Sequence, residues 1–518
     1  MLHFSSSLSD KPYSFTDRSG NTYHYFEKPL FNACFFILMQ EFCERLAFYG
    51  LTPNLQLFTK EYLGYTDAVA NSYVSSFNSI LYVTPMLTGI LADTFLGVYL
   101  TILIFSLVYM LGLVLITIAS VPSLSEPWMI HVSLMFLITV GAGGIKSCVN
   151  VMGAQQMHPE KHKDILTSFF TIFYAAINLG SIIGGVVTPI LVEDVSWASS
   201  FVVPLIFFAV ATSVFVLGDL MKRYVKVKPE GSAVLEVIKV MLASIWRCGV
   251  DKNKKSQGGS FEDSFIEDTK VFARLLPILL VTIPFNMAYN NMTTTFLTQA
   301  LLMDRDTFGW NMPAAIMQNV DPIGVVIVSV IVDGYLYPKL RQWNMMPSVL
   351  VRFCIGSTLG ALSLLCATII EYQIRSHSIY TISIWWQVPQ FVFIAAGEIF
   401  LISTSYEVAY THAPSQLKTV ASAVNLCFMA VAYAISAALF GACASWLPNF
   451  DPNDIDGYID HSHYDYYYYL LIGICLLGSA GALILIPYYR RIESDHQAQI
   501  KSSNSQEPIT IDSDESAA

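Results

Sequence analysis

The segment Tyr99–Ala119 reads YLTILIFSLVYMLGLVLITIA, an apolar block with no charged residue. Its length is close to the roughly 20 residues an α-helix needs to cross a hydrocarbon core. Backbone groups in lipid must be satisfied within their own segment, and the block lacks the alternation of a barrel strand, so a helix is the required form. Phe201–Leu217 repeats the pattern. Working outward gives twelve such segments, near 31-57, 69-92, 98-120, 129-153, 167-192, 199-220, 271-301, 313-336, 346-371, 380-410, 419-446 and 466-488. Composition agrees: 54% of the 518 residues are hydrophobic and 13% are charged, with mean hydropathy +0.52, which excludes an ordinary water-soluble domain. The expected fold class is all-α membrane.

Short loops rich in Lys and Arg stay on the cytoplasmic side. Most of the 28 basic residues fall on one set of loops, including Lys11, Arg18, Lys28, Lys161, Lys163, Lys339, Arg341, Lys418, Arg490, Arg491, Lys501 and the dense stretch 222-274. The opposite loops hold Lys60, Arg305 and Arg375, and segment 447-465 carries five Asp without a base. Both termini are therefore expected in the cytoplasm. The net charge of −11 is a sum of acidic outer loops and tails with basic inner ones, so it implies no nucleic-acid partner. The nine Cys fit neither a disulfide framework nor a zinc site and read as packing residues. No cleavable leader is legible in the polar N-terminus. The expected organisation is a cytoplasmic tail 1-29, a six-helix bundle 30-221, a cytoplasmic linker 222-270 with a flexible run Asp251 to Ser260, a second six-helix bundle 271-490, and a disordered cytoplasmic tail 491-518. Six helices on each side of a linker suggest the major facilitator fold, in which two bundles rock about a mid-membrane site.

Charges inside spanning helices are costly when unpaired and point to function. Glu41, Glu44 and Arg45 stand at i, i+3 and i+4 on one face of the first segment. Lys146 follows the Gly-rich stretch Gly141 to Gly144 in the fourth, Asp321 precedes Pro322 in the eighth, and Glu398 lies in the tenth. For Glu44 and Arg45 the alternative is a pair that merely locks helices together. Lys146 and Glu398 lie in opposite halves without a local partner, and two such charges facing one cavity suit a zwitterion. His461 and His463 in the acidic loop do not make a metal site, and no nucleotide loop or nucleophile motif indicates an enzyme.

At these residues the sequence resembles the proton-dependent oligopeptide transporter family. The first-helix signature appears as Glu41-Phe-Cys-Glu44-Arg45-Leu46-Ala-Phe48-Tyr49-Gly50, with Phe and one Tyr of the family pattern replaced. Further motifs follow in order: Gly89-Ile-Leu-Ala-Asp93-Thr-Phe-Leu-Gly97, Gly143-Gly144-Ile145-Lys146, Phe173-Tyr174-Ala-Ala-Ile-Asn178-Leu-Gly180-Ser181, and Gly397-Glu398 followed by Tyr406-Glu407. The resemblance covers roughly 30 to 490. It implies symport of di- and tripeptides driven by protons as the coupling ion, without a cofactor or metal. It makes Glu41, Glu44, Arg45 and Lys146 the proton-coupling group, and Tyr49, Tyr82, Lys146, Asn178, Asn290, Asp321 and Glu398 the substrate-binding set. Lys146 is implied to meet the peptide carboxylate, and Asn178 with Glu398 the ammonium. For Tyr82 ordinary aromatic packing is the alternative.

The departures matter as much. Thr52 stands where many members have a second cavity arginine, Asn290 where the seventh helix commonly bears an acid, Asp321 where the eighth has Asn before Pro, and Ser75 where the animal peptide branch has a histidine. Together they resemble the peptide/histidine transporter branch, which implies an endosomal or lysosomal membrane; the plasma membrane is the alternative. Asp321 beside Glu398 would place two acids at one site, which keeps one protonated and favours a cationic substrate group such as protonated histidine. The alternative is that Asp321 bonds Lys146. Two other functional classes stay open: a proton-coupled carrier of another solute, such as histidine alone, nitrate or a metabolite, and a transporter-like signalling scaffold with a protein partner at the linker or tail.

Overall fold

A computed structural model describes residues 11–17, 20–229, 231–246, 249–377, 379–450 and 455–492. Within them, nine helical runs are long and apolar enough to cross a membrane, and a tenth is the pair Asp263–Leu280 and Ile283–Leu301, bent by 44°. The difference from twelve has a local cause. The first expected segment is broken: a helix Phe35–Leu51 gives way to a 3-10 turn Thr52–Asn54 at Pro53 before Leu55–Leu63 resumes. The second and third lie in one run, Asp67–Ala119, whose axis is interrupted at Gly97, where φ is +72°, a conformation that favours glycine. Exposed Leu111, Leu477 and Ile484 face outward along the spans, as lipid requires.

The helices pack as two halves. In the first, Phe35–Leu51 lies between Lys163–Asp194 and Trp197–Leu220; in the second, Val349–His377 lies between Val388–Glu398 and Tyr464–Ile484. Small residues set the spacing. A Cβ at Gly141 would stand 2.6 Å from the Tyr109 backbone and one at Gly143 2.8 Å from the Leu81 carbonyl, so the Gly-rich helix Thr139–Lys146 fits only as glycine. The halves meet along Asp67–Leu91 and Lys418–Ala442, where Ser72 Oγ donates to the Ala437 carbonyl and Ser79 Oγ to that of Ala430, both at 2.9 Å.

Two parts outside the spans carry local structure that the sequence reading does not specify. Within 1-29, Tyr13–Thr16 and Thr22–Tyr25 pair as an antiparallel hairpin closed by Asp17 and Gly20. Period-two aromatics explain it: Tyr13, Phe15 and Tyr25 turn one face onto His158 and His162 in the loop before Lys163, with Tyr25 and His158 rings 5.4 Å apart. Lys228 Nζ also donates to Asn21 Oδ1 at 2.9 Å. The run Asp251 to Ser260, expected to be flexible, forms two 3-10 turns, Asp251–Asn253 and Lys255–Gln257. A ring of charges holds it: Lys254 and Lys270 each contact both Asp251 and Glu267. The tail beyond 492 and Cys248 lie outside the described residues, and the eight described cysteines are free thiols.

Candidate functional site

A cavity of about 190 Å³ lies between the halves. Tyr49, Tyr82 and Asn178 line it from the first half, and Tyr289, Asn290, Asp321, Glu398 and Tyr433 from the second. Six of the seven residues expected to bind substrate are thus on one wall or the other. The seventh, Lys146, is not among the lining residues: its ammonium sits over the ring of Tyr82, which does line the cavity, 3.9 Å from the centroid. Tyr82 in turn packs on Tyr433, with ring centroids 5.4 Å apart.

The first-helix charges form one buried cluster one turn before Tyr49. Arg45 Nη2 lies 2.5 Å from Glu44 and Nε 3.0 Å from Glu41, and all three residues are nearly closed to solvent. Glu44 makes an ion contact without an aligned hydrogen bond, so its carboxylate is held by charge more than by geometry. Lys146 is within electrostatic reach of both carboxylates. Close helix packing makes this possible: a Cβ at Gly180 would stand 2.6 Å from the Phe42 carbonyl and 3.1 Å from Arg45 Cβ. Tyr49 connects the cluster to the cavity, being within reach of Arg45 on one side and of Glu398 and Asp321 on the other.

Asp321 and Glu398 come together because their helices nearly touch. Gly324, one turn after Asp321, faces Ala395, one turn before Glu398, and a Cβ there would meet that of Ala395 at 3.0 Å. Asp321 is 7% exposed and its Oδ1 has no hydrogen-bond partner. The charge that acts on it is Glu398, not Lys146, so the bond from Asp321 to Lys146 considered above is not formed. Among the described residues lining the cavity, none is Lys, Arg or His.

Asn290 donates through Nδ2 to Ser75 Oγ at 2.7 Å, both side chains buried. The two positions where the resemblance leads one to expect an acid and a histidine thus hold a neutral pair that bridges the halves. Further bridges lie toward the same end: Gln56 Nε2 to Thr298 Oγ1 at 2.9 Å, Asn319 Nδ2 to the Gly185 carbonyl at 2.8 Å, and Arg305 to Glu193 at 2.5 Å. Toward the linker end Cys427 Sγ still meets Met86 Sδ across the halves at 3.5 Å. Tyr174, 48% exposed, lines both the central cavity and a second one of about 290 Å³ that contains the Arg352–Glu407 ion pair, 2.7 Å apart. Sequence reasoning missed Tyr289, Tyr433 and Asn319 as wall residues; the available signal was a polar group in an otherwise apolar segment.

Residues 99–447 match a family model, PTR2, described as the POT family. Among similar proteins, NRT1/PTR family protein 8.5 of Arabidopsis thaliana is 27% identical over 90% of this chain and 89% of its own length. Solute carrier family 15 member 2 of Rattus norvegicus is 31% identical over 66% of this chain and 49% of its own. The solved structure of the POT family transporter PepTSo superposes with a TM-score of 0.75 at 22% identity, covering 89% of this chain and 98% of that one. The two folds are the same.

Proposed function

Because this chain belongs to the POT family, whose members are membrane transporters and not enzymes, we propose that it is a proton-coupled symporter of di- and tripeptides that works by alternating access. The observation that carries this reading is the cavity between the halves, with Asn178 and Glu398 on facing walls and the Glu41, Glu44, Arg45 and Lys146 cluster beside Tyr49 and Tyr82. Asn178 and Glu398 hold the peptide ammonium. Lys146 reaches the peptide carboxylate when Tyr82 turns aside. A proton on Glu44 releases Arg45 from one of its two partners, and the freed charge changes the relative stability of the two bundle arrangements, which is what coupling requires.

We read the present arrangement, bridged by Ser75–Asn290 and Arg305–Glu193 and with a second cavity beside Tyr174 toward the linker end, as the inward-facing state. In this reading the chain crosses the bilayer twelve times with both termini in the cytoplasm. It works in an endosomal or lysosomal membrane, or in the plasma membrane, and uses no cofactor beyond the proton. The two wall carboxylates weigh against a small anion such as nitrate as the alternative solute, while histidine remains compatible with them. The test is uptake of labelled Ala-Ala into proteoliposomes under an inward acid gradient. Accumulation above equilibrium that a protonophore abolishes is expected. Equilibration alone would overturn the coupling, and no uptake of any dipeptide would overturn the substrate class.

A further inference from the structure

Polar partners around the cavity do not balance. In the first-helix cluster, Glu41 and Glu44 are matched by Arg45 and Lys146. On the wall, Asp321 and Glu398 face the cavity with no basic residue among the described lining residues, and Asp321 Oδ1 is buried without a hydrogen bond. An unpaired polar atom of a buried carboxyl group is costly, and a ligand donor that reaches it recovers much of that cost. A dipeptide with neutral side chains brings one ammonium to this pair and uses it on Glu398 and Asn178. Asp321 is left over.

We propose that Asp321 is a specificity residue, and that the carrier prefers peptides whose N-terminal residue bears a cationic side chain. This rests on the peptide reading above. The side chain must belong to the N-terminal residue because Asp321 and Glu398 share one end of the cavity, where the Gly324–Ala395 approach holds their helices together. The α-ammonium and the side-chain cation of one residue span neighbouring acids. A cation on the C-terminal residue points toward the Tyr82 ring, over which Lys146 already places a positive charge. Arg, Lys or protonated His as the first residue satisfies the requirement, and a peptide with an acidic first residue is excluded.

Inhibition of labelled Ala-Ala counterflow in proteoliposomes by Lys-Ala, Ala-Lys, Ala-Ala and Asp-Ala tests the order of affinity on the unmodified protein. Lys-Ala is expected to bind at least about tenfold more tightly than Ala-Ala, as a charge-assisted contact gives, with Ala-Lys no better than Ala-Ala and Asp-Ala weakest. In Asp321→Asn the ratio of Lys-Ala to Ala-Ala affinity should fall toward one, whatever the absolute rate. Equal affinities for Lys-Ala and Ala-Ala in the unmodified protein would overturn the proposal and leave the peptide reading standing. A preference that survives in Asp321→Asn would overturn the role of Asp321. Failure of all four peptides to compete, with Ala-Ala itself not carried, would instead overturn the peptide reading.

Discussion

Glu44→Gln tests the coupling most directly. Arg45 lies 2.5 Å from Glu44 and 3.0 Å from Glu41, with Lys146 in electrostatic reach of both acids. Replacing Glu44 by its isosteric amide leaves Glu41 as the one carboxylate facing two cations. Breaking a buried ion pair outright costs about 3–5 kcal/mol. Here Arg45 keeps Glu41, so the loss of stability should stay below about 3 kcal/mol, and the variant should fold. Transport should change far more. One proton per substrate carries about 1.36 kcal/mol for each pH unit of gradient, enough for about tenfold accumulation. With the membrane potential clamped at zero and a one-unit gradient, the unmodified carrier should approach that value when it moves one proton per peptide. Glu44→Gln should reach about onefold while still exchanging substrate in counterflow. A thermal unfolding scan of the same preparation separates lost coupling from lost fold. Undiminished accumulation in a folded Glu44→Gln protein would remove this residue from the coupling.

Two further outcomes follow from other contacts. Ser75→Ala removes the acceptor of the Asn290 amide, leaving a buried donor unpaired at a cost of about 1–3 kcal/mol in the arrangement closed at this end. Spin labels across that end should report about a fivefold or greater shift toward the open arrangement, and an unchanged distance distribution would refute the bridging role. In the linker, hydrogen bonds from Lys270 and Lys254 lower the pKa of Asp251, so its contribution is complete above the ordinary carboxylate range and is lost only as pH falls through the depressed value. Opening free energies derived from hydrogen exchange across 251–270 should therefore be flat between about pH 5 and 8; a steep loss within that window would contradict the ring of charges.

Local chemistry was legible in the sequence where a single helix carries it. Glu41, Glu44 and Arg45 had to share a face because helical spacing allows nothing else. Asp321 and Glu398 were legible as a pair only through the departures from the family pattern, since they stand 77 positions apart in the chain and it is the glycine at 324 that lets their helices meet. Lys146 meets the cavity through Tyr82, whose ring its ammonium covers and which itself packs on Tyr433. No spacing rule reports which ring a buried-segment amine will cover. The hairpin and the folded linker run escaped for a related reason. Short elements take their stability from what they pack against, and His158 lies far along the chain from Tyr13.

The hairpin also constrains how the chain threads the bilayer. Folded contacts cannot form through a hydrocarbon core, so two residues that touch outside it share a side, and the chain between them makes an even number of passes. Tyr25 against His158 applies this parity to 26–157, and Lys228 with Asn21 applies it to 22–227. An odd number of crossings in any of these intervals is forbidden, independently of loop charge. An epitope inserted near residue 20 and another near 228 must therefore be reached by antibody from the same face.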